Sequence, residues 1–164
     1  MTAEPKRIAI NFSGGYVPGL NAVITGVVLA ANAQGWEVVG IRDGFEGLLF
    51  PERYPDGGLV NLIPAIVKNL AGAGGCILGT AARNDPFHVR TINAENQVEE
   101  VDRSDELLEK IEREKIDAVI SVVGPRALSI LWKLSRKGLG RSACRSRLKT
   151  IWQPRCCPLG STAP

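Results

Sequence analysis

The sequence predicts an α/β domain of three layers built on a mainly parallel sheet, and three observations carry that expectation. An alternating apolar run at 7–12, a glycine-rich loop, a helical run at 20–34 and a valine-rich run at 36–41 follow one another as a β-α-β unit. The run DAVISVV at 117–123 is apolar enough for a strand buried on both faces. Glycine-rich loops follow the apolar runs, as they do where an open α/β sheet turns from strand into helix.

Taken in order, RIAINF at 7–12 alternates and is β-rich, so it reads as a strand entering the loop SGGYVPG. LNAVITGVVLAANAQ at 20–34 is a helix with Leu20, Val23, Ile24, Val27, Val28 and Ala31 on its apolar face and Gly35 as its stop. WEVVGI at 36–41 is the second strand. The turn-rich RDGFEGLL leads to an expected helix at 59–70, which Pro64 interrupts. A short strand is expected at 76–78 between two flexible loops, and 91–101 reads as a β-hairpin or an irregular excursion. SDELLEKIEREK at 104–115 is a helix with Ser104 as its N-cap, acids in its first turn and Leu107, Leu108 and Ile111 inward. After the strand at 117–123, GPRALSILWKLSRKG forms a loop and a helix ending at Gly138, with Trp132 in the core.

The 164 residues, 45% of them hydrophobic, suit one compact domain. The apolar run from Ala22 to Ala31 falls short of the roughly 18 to 20 residues that span a bilayer. The opening MTAEPKR carries no apolar signal segment, so the expected location is cytoplasmic. Charge is unevenly spread behind the net +3: all 17 acidic residues lie at or before Asp117, and everything after it is basic or neutral. Cys144, Cys156 and Cys157 crowd the end, and no cysteine pair has a C-x-x-C metal spacing.

A glycine loop between a strand and a helix leaves backbone N–H groups free and lets a ligand come close, which is how phosphates are held at helix N-termini. Three stretches qualify: SGGYVPG after the first strand, GTAARNDP after 76–78, and GPRA after 117–123. They are expected to meet at one edge of the sheet, with Arg83 and Arg126 adding positive charge, and a phosphorylated ligand is the expectation. None matches G-x-G-x-x-G or G-x-x-x-x-G-K-[ST], so tight turns alone are the competing reading. His88, the only histidine, reads as a loop residue, and Asp43 and Glu46 read as solvated turn carboxylates.

In order and at suitable separations, RIAINFSGGYVPGLNAVITGVV, GWEVVGIRDGFEGLL, GGCILGTAARNDPF and IDAVISVVG resemble the N-terminal half of the 6-phosphofructokinase family, over about 7–138. The resemblance implies a Rossmann-like fold of which this chain is most of the first of two domains. It implies phosphoryl transfer from ATP or pyrophosphate to fructose 6-phosphate with Mg2+, in glycolysis, by a homo-oligomer. By motif, Gly14 and Gly15 with Tyr16 beside them approach the donor phosphates, Ala82 and Arg83 flank the nucleotide, and Gly124, Pro125, Arg126 and Ala127 form the second glycine turn. The small Ala127 leaves room for a nucleotide and so favours ATP.

Departures from the family pattern are local. Tyr16 stands where the family has Asp, and Pro125 and Arg126 stand where it has Gly and a metal-associated Asp. Arginine cannot bind Mg2+ but can neutralise a phosphate. The family segment that carries the general base has no counterpart, so no catalytic residue is assigned. Residues 139–164 read as a basic tail foreign to the family, and a frameshift is its expected origin: with chosen codons, reading from the last base of the Leu148 codon yields Glu-Asn-Asp-Leu-Ala-Ala-Thr, close to the family's E-N-D-x-A-A-T. The alternative is a nucleotide- or anion-binding module with no catalysis, whose basic tail touches nucleic acid. Nucleic acid is otherwise not an expected partner, and neither is a membrane.

Overall fold

The structure, a computed structural model, describes residues 6–81, 84–92 and 97–139. Strand β1 (Arg7–Ser13) is the centre of a four-stranded sheet, with β2 (Glu37–Ile41) and β6 (Ala118–Val123) parallel to it on either side. An antiparallel edge strand, β3 (Leu59–Leu62), completes the order β3-β2-β1-β6. A separate antiparallel pair joins β4 (Val89–Ile92) to β5 (Val98–Val101), with Arg90 opposite Glu100, so the hairpin alternative at 91–101 holds; its turn lies outside the described residues.

Side chains alternate across β1, and this alternation sets the layers. Ile8, Ile10 and Phe12 pack under α1 (Leu20–Asn32), whose Leu20, Ile24, Val28 and Ala31 are buried there with Val67 and Leu78. On the opposite face Ala9 joins Val39, Ile41 and Val119 under α2 (Glu46–Leu49), α4 (Ser104–Arg113) and α5 (Pro125–Leu134) through Leu48, Leu49, Leu107, Ile111, Leu131 and Leu134. Helix, sheet and helix are therefore the three expected layers. Gly35, with φ 71°, ends α1 by donating its N–H to Asn32 at 3.0 Å.

Several elements differ from expectation. Instead of a helix at 59–70, the chain forms β3 and then a single turn, α3 (Pro64–Val67). Proline holds Ile63 extended at φ −113°, ψ 157°, so a helix can start at Pro64 but not run through it. Residues 76–78 form a turn rather than a strand, because β2 and β6 already occupy both sides of β1. Their backbone is satisfied otherwise: Ile77 donates its N–H to Asn21 Oδ1 at 3.0 Å, and Leu78 accepts from Asp43 N at 2.8 Å. Ser104 is the first helical residue of α4 and not its cap; Asp102 Oδ1 accepts from the Ser104 N–H at 2.8 Å and from its hydroxyl. On α1, Asn21 and Thr25 are buried and Val23 is exposed, since Asn21 Nδ2 reaches the carbonyls of Ala73 and Gly74 and Thr25 Oγ1 bonds Asn21 O at 2.9 Å. Trp132 is 59% exposed, its ring stacked 5.0 Å from the Arg136 guanidinium, while Leu131 and Leu134 face inward.

Candidate phosphate-binding cleft

Ser13 lies in register with Val123, so the residues that follow each, Gly14 and Gly124, leave adjacent parallel strands side by side. Gly124 donates its N–H to Ser13 O at 2.9 Å. A Cβ on Gly14 would lie 3.3 Å from Gly124 N, a contact tight enough to push the two turns apart, whereas one on Gly15 would meet nothing within 4 Å. The first glycine therefore sits in a tight approach to its neighbour, and the second leaves open space. A cleft of about 210 Å³ lies between the turns, lined by Ser13, Gly14, Gly15, Val23, Thr80 and Gly124 among others.

Two helices begin at this cleft. Leu20 opens α1 after Gly19, whose φ of 90° suits glycine, and Pro125 opens α5 after Gly124; neither helix has an acid in its first turn. A helix N-terminus carries a partial positive charge, and α1 opens on Leu20 in the lining, while α5 starts just past Gly124 with a proline that has no N–H. The third loop also arrives, through Thr80 in the lining and through Ala81, whose N–H donates to Phe12 O at 3.4 Å. It reaches the cleft although no strand precedes it: Arg42 ties it down with a 3.1 Å bond to Ile77 O while pairing with Asp56, whose carboxyl it holds below the usual range.

The expected site residues divide as follows. Gly14, Gly15 and Gly124 meet at the cleft, and Tyr16, 66% exposed, lies beside it without lining it. Pro125, Arg126 and Ala127 form the first turn of α5; Arg126 is exposed and has no ion pair or side-chain hydrogen bond among the described residues. Ala82 and Arg83 lie outside the described residues. Asp43 and Glu46 are partly buried and engaged rather than simply solvated: Asp43 Oδ2 accepts from the Tyr54 hydroxyl at 2.9 Å, and Glu46 accepts from Arg53 and Asn84 at 2.6 Å each. Burial, then the Asp43 contact, pushes the Tyr54 phenol up. Asp43 thus buttresses the loop under the cleft. Thr80 belongs to the GTAARNDP loop expected at this edge, whereas the support from Asn21 was invisible in the sequence, since only the tertiary path of 70–77 brings it there.

A larger groove of about 580 Å³ lies at the hairpin, lined by Glu46, Phe50, Arg53, His88, Arg90 and Glu100. Its charges are spent on one another, Arg53 on Glu46 and Arg90 on Glu100, and His88, exposed, sits 3.7 Å from Glu100. The glycine cleft, which has no acid in its lining among the described residues and lies where two helices begin, is the better anion site.

The family model described as Phosphofructokinase matches residues 7–156, nearly the whole chain. The chain belongs to the phosphofructokinase family. An ATP-dependent 6-phosphofructokinase of Chloroflexus aggregans is 37% identical over 138 residues, covering 84% of this chain and 36% of that protein. A pyrophosphate–fructose 6-phosphate 1-phosphotransferase of Dictyoglomus thermophilum is 33% identical over 133 residues, covering 81% of this chain and 33% of its own length. Among solved structures, Pichia pastoris phosphofructokinase in the T-state superposes with a TM-score of 0.66 at 22% identity, over 85% of this chain and 15% of that one. A pyrophosphate-dependent phosphofructokinase from Marinobacter aquaeolei gives 0.60 at 19% identity, over 81% and 30%. The three-layer phosphofructokinase fold is thereby shown, and the chain spans about a third of the length of the curated relatives. Among the described residues, no helix is long and apolar enough to cross a membrane.

Mg2+ is the usual cofactor of the family. Among the described residues of this chain no carboxylate lines the cleft, no group of three or more His, Cys, Asp or Glu could hold a metal, and Arg126 occupies the expected ligand position. The donor set present does not fit a protein-held Mg2+.

Proposed function

We propose that this chain provides the phosphoryl-donor part of a phosphofructokinase, which moves a phosphoryl group from ATP or pyrophosphate to the 1-hydroxyl of fructose 6-phosphate in glycolysis. The observation that carries the reading is the meeting of Gly14 and Gly124 at the ends of neighbouring parallel strands, where two helix N-termini face one cleft. Phosphoryl transfer asks a protein mainly for positioning and charge neutralisation. Here the glycine turns would set the donor's phosphates against backbone N–H groups, and Arg126 would offset their charge. The relatives' names leave both donors open; Ala127, half-buried in the first turn of α5, keeps that turn narrow beside a nucleotide. The assembly proposed is a homo-oligomer working in the cytoplasm.

Residues 1–138 form the donor-binding unit, and 139–164 a basic segment of frameshift origin, in this proposal. The family match runs on to residue 156; Leu139 is buried in the core, and residues 140–164 lie outside the described residues. A second reading is favoured by one observation: no Asp or Glu follows Asp117, so the segment after α5 offers no general base. On that reading the chain binds the donor and does not turn it over. A coupled assay for fructose 1,6-bisphosphate, run with ATP and with pyrophosphate on this chain and on a version with the alternative frame restored, decides between them. Product from the restored version alone supports both the donor role and the frameshift; product from neither contradicts the phosphofructokinase reading.

A further inference from the structure

Among the described residues β3 and β6 are the two edges of the four-stranded sheet, and they are protected to different degrees. β3 is short, carries the exposed Asn61 and stops before Pro64, features that discourage further pairing. β6 has none of them. Its residues, AVISVV, include no charge and no proline, and among the described residues it pairs with β1 alone. The N–H and C=O groups along its other side are a template for a further strand. Its side chains are apolar toward both layers: Ala118, Ile120 and Val122 extend one core and Val123 the other, and all four are only half-buried. The exposed Val23 of α1 lies beside Val122 and Val123 in the cleft lining.

A crossover helix delivers its next strand beside the last one, so the chain beyond α5 is the first candidate for this edge. Its sequence suits the place poorly: from 140 to 164 no stretch longer than four residues is free of Arg, Lys, Pro and Gly. A second β6 suits it better. Two identical strands joined about a twofold axis run antiparallel, which brings the start of each beside the end of the other. Asp117, exposed just before β6 while it accepts from the Arg7 N–H at 2.9 Å, then meets the opening turn of α5, which has no acid and carries the exposed Arg126. A parallel arrangement would set like charges side by side. A strand of this length spans about 20 Å and three layers about 30 Å, so the face offers roughly 600 Å² per copy, about 1,200 Å² in all, where stable interfaces begin. We propose that the free edge of β6 is the interface of a homodimer of this chain, in which two copies join antiparallel into one continuous sheet. The inference rests on the homo-oligomer of the proposed function, gives it a surface, and requires no ligand in the cleft.

Sedimentation velocity of the full chain over a concentration series, with amide hydrogen exchange followed on a dilute and a concentrated sample, tests it. The expected result is a monomer–dimer equilibrium in which exchange across 118–123 slows about tenfold or more in the concentrated sample, while exchange across 59–62 does not change. Ile120→Lys, which puts a charge on the edge, should raise the dimer dissociation constant at least about tenfold. Asp117→Arg should raise it less, and Asp117→Arg combined with Arg126→Asp should bring it back by restoring opposite charges. Circular dichroism checks that each variant is folded, and the wild-type exchange experiment stands without them. A dimer whose concentration-dependent protection lies elsewhere would overturn β6 as the surface and leave the homo-oligomer standing. A monomer at every concentration would overturn both, whether β6 exchanges fast or is already slow because residues 140–164 cover it.

Discussion

Asn11 stands on the central strand with no solvent exposure, and neither atom of its amide has a partner; Ser121, directly opposite in register on β6, has an unpartnered hydroxyl as well. Both face the layer of α2, α4 and α5, where the neighbouring positions are Ala9 and Val119. A buried unpaired polar group costs about 1–3 kcal/mol, whereas apolar replacement of both partners is neutral or stabilising. The double substitution Asn11→Leu with Ser121→Ala should therefore raise the urea midpoint, by about 1 kcal/mol of stability, and Asn11→Asp, which buries a charge, should lower it. Gly58 is a second residue with a sharp requirement. Its φ is 78° and a Cβ there would run into the backbone carbonyl of Gly47, so no flexible side chain can move aside. Gly58→Ala should cost about 2 kcal/mol or more by chemical denaturation, while Gly57→Ala, with φ 71° but open space around it, should cost about half as much.

At the scale of elements, α4 concentrates the acid sensitivity of the molecule. The Arg103 hydrogen bonds, aided by Lys110, outweigh burial and pull Glu106 down from 4.5 to about 2. Asp102 is also lowered, first by the bonds it accepts from Ser104 and then by Lys137. A carboxylate whose folded pKa is depressed stabilises fully above its unfolded pKa and loses that contribution as pH falls toward the folded value. Thermal stability should therefore decline as pH drops from about 5 to about 2, and Glu106→Gln should make the decline shallower. Glu106 is about a third exposed, so added salt should shrink the effect as well. Most elements were legible in the sequence because period and punctuation agreed: β1, β2, β6, α1 and α5 begin and end within a few residues of expectation. The misread ones share a cause. At 59–62 and at 76–78 the apolar pattern was right and its partner unknown; whether such a run pairs as an edge strand or folds back as a turn depends on which sheet positions are already filled. Trp132 was misplaced because a helix with apolar residues at 128, 131, 132 and 134 has more apolar width than this chain can cover.

On the whole-molecule scale, the chain spans about a third of its relatives' length and leaves apolar residues exposed beside the cleft and along α5, among them Val17, Val23, Leu128 and Trp132. Leu128→Gln with Trp132→Gln should change unfolding stability by less than about 0.5 kcal/mol and raise the soluble fraction on centrifugation; a large loss of stability would show that they pack against this chain after all. The cleft itself was half legible. Its glycines could be read because a strand followed by glycines and a helix leaves few other arrangements. The arrival of the GTAARNDP loop was expected as well, but the turn at 76–78 that delivers it, Asn21 beneath it and the Asp43–Tyr54 buttress could not be read, since each depends on a contact outside its own segment. The most direct check of the central claim is a titration of the 15N-labelled chain with inorganic pyrophosphate, followed by backbone amide shifts. The amides of Gly14, Gly15, Thr80 and Gly124 and of the first turns of α1 and α5 should move most and together; shifts centred on His88 and Arg90, with the glycine amides unmoved, would contradict it.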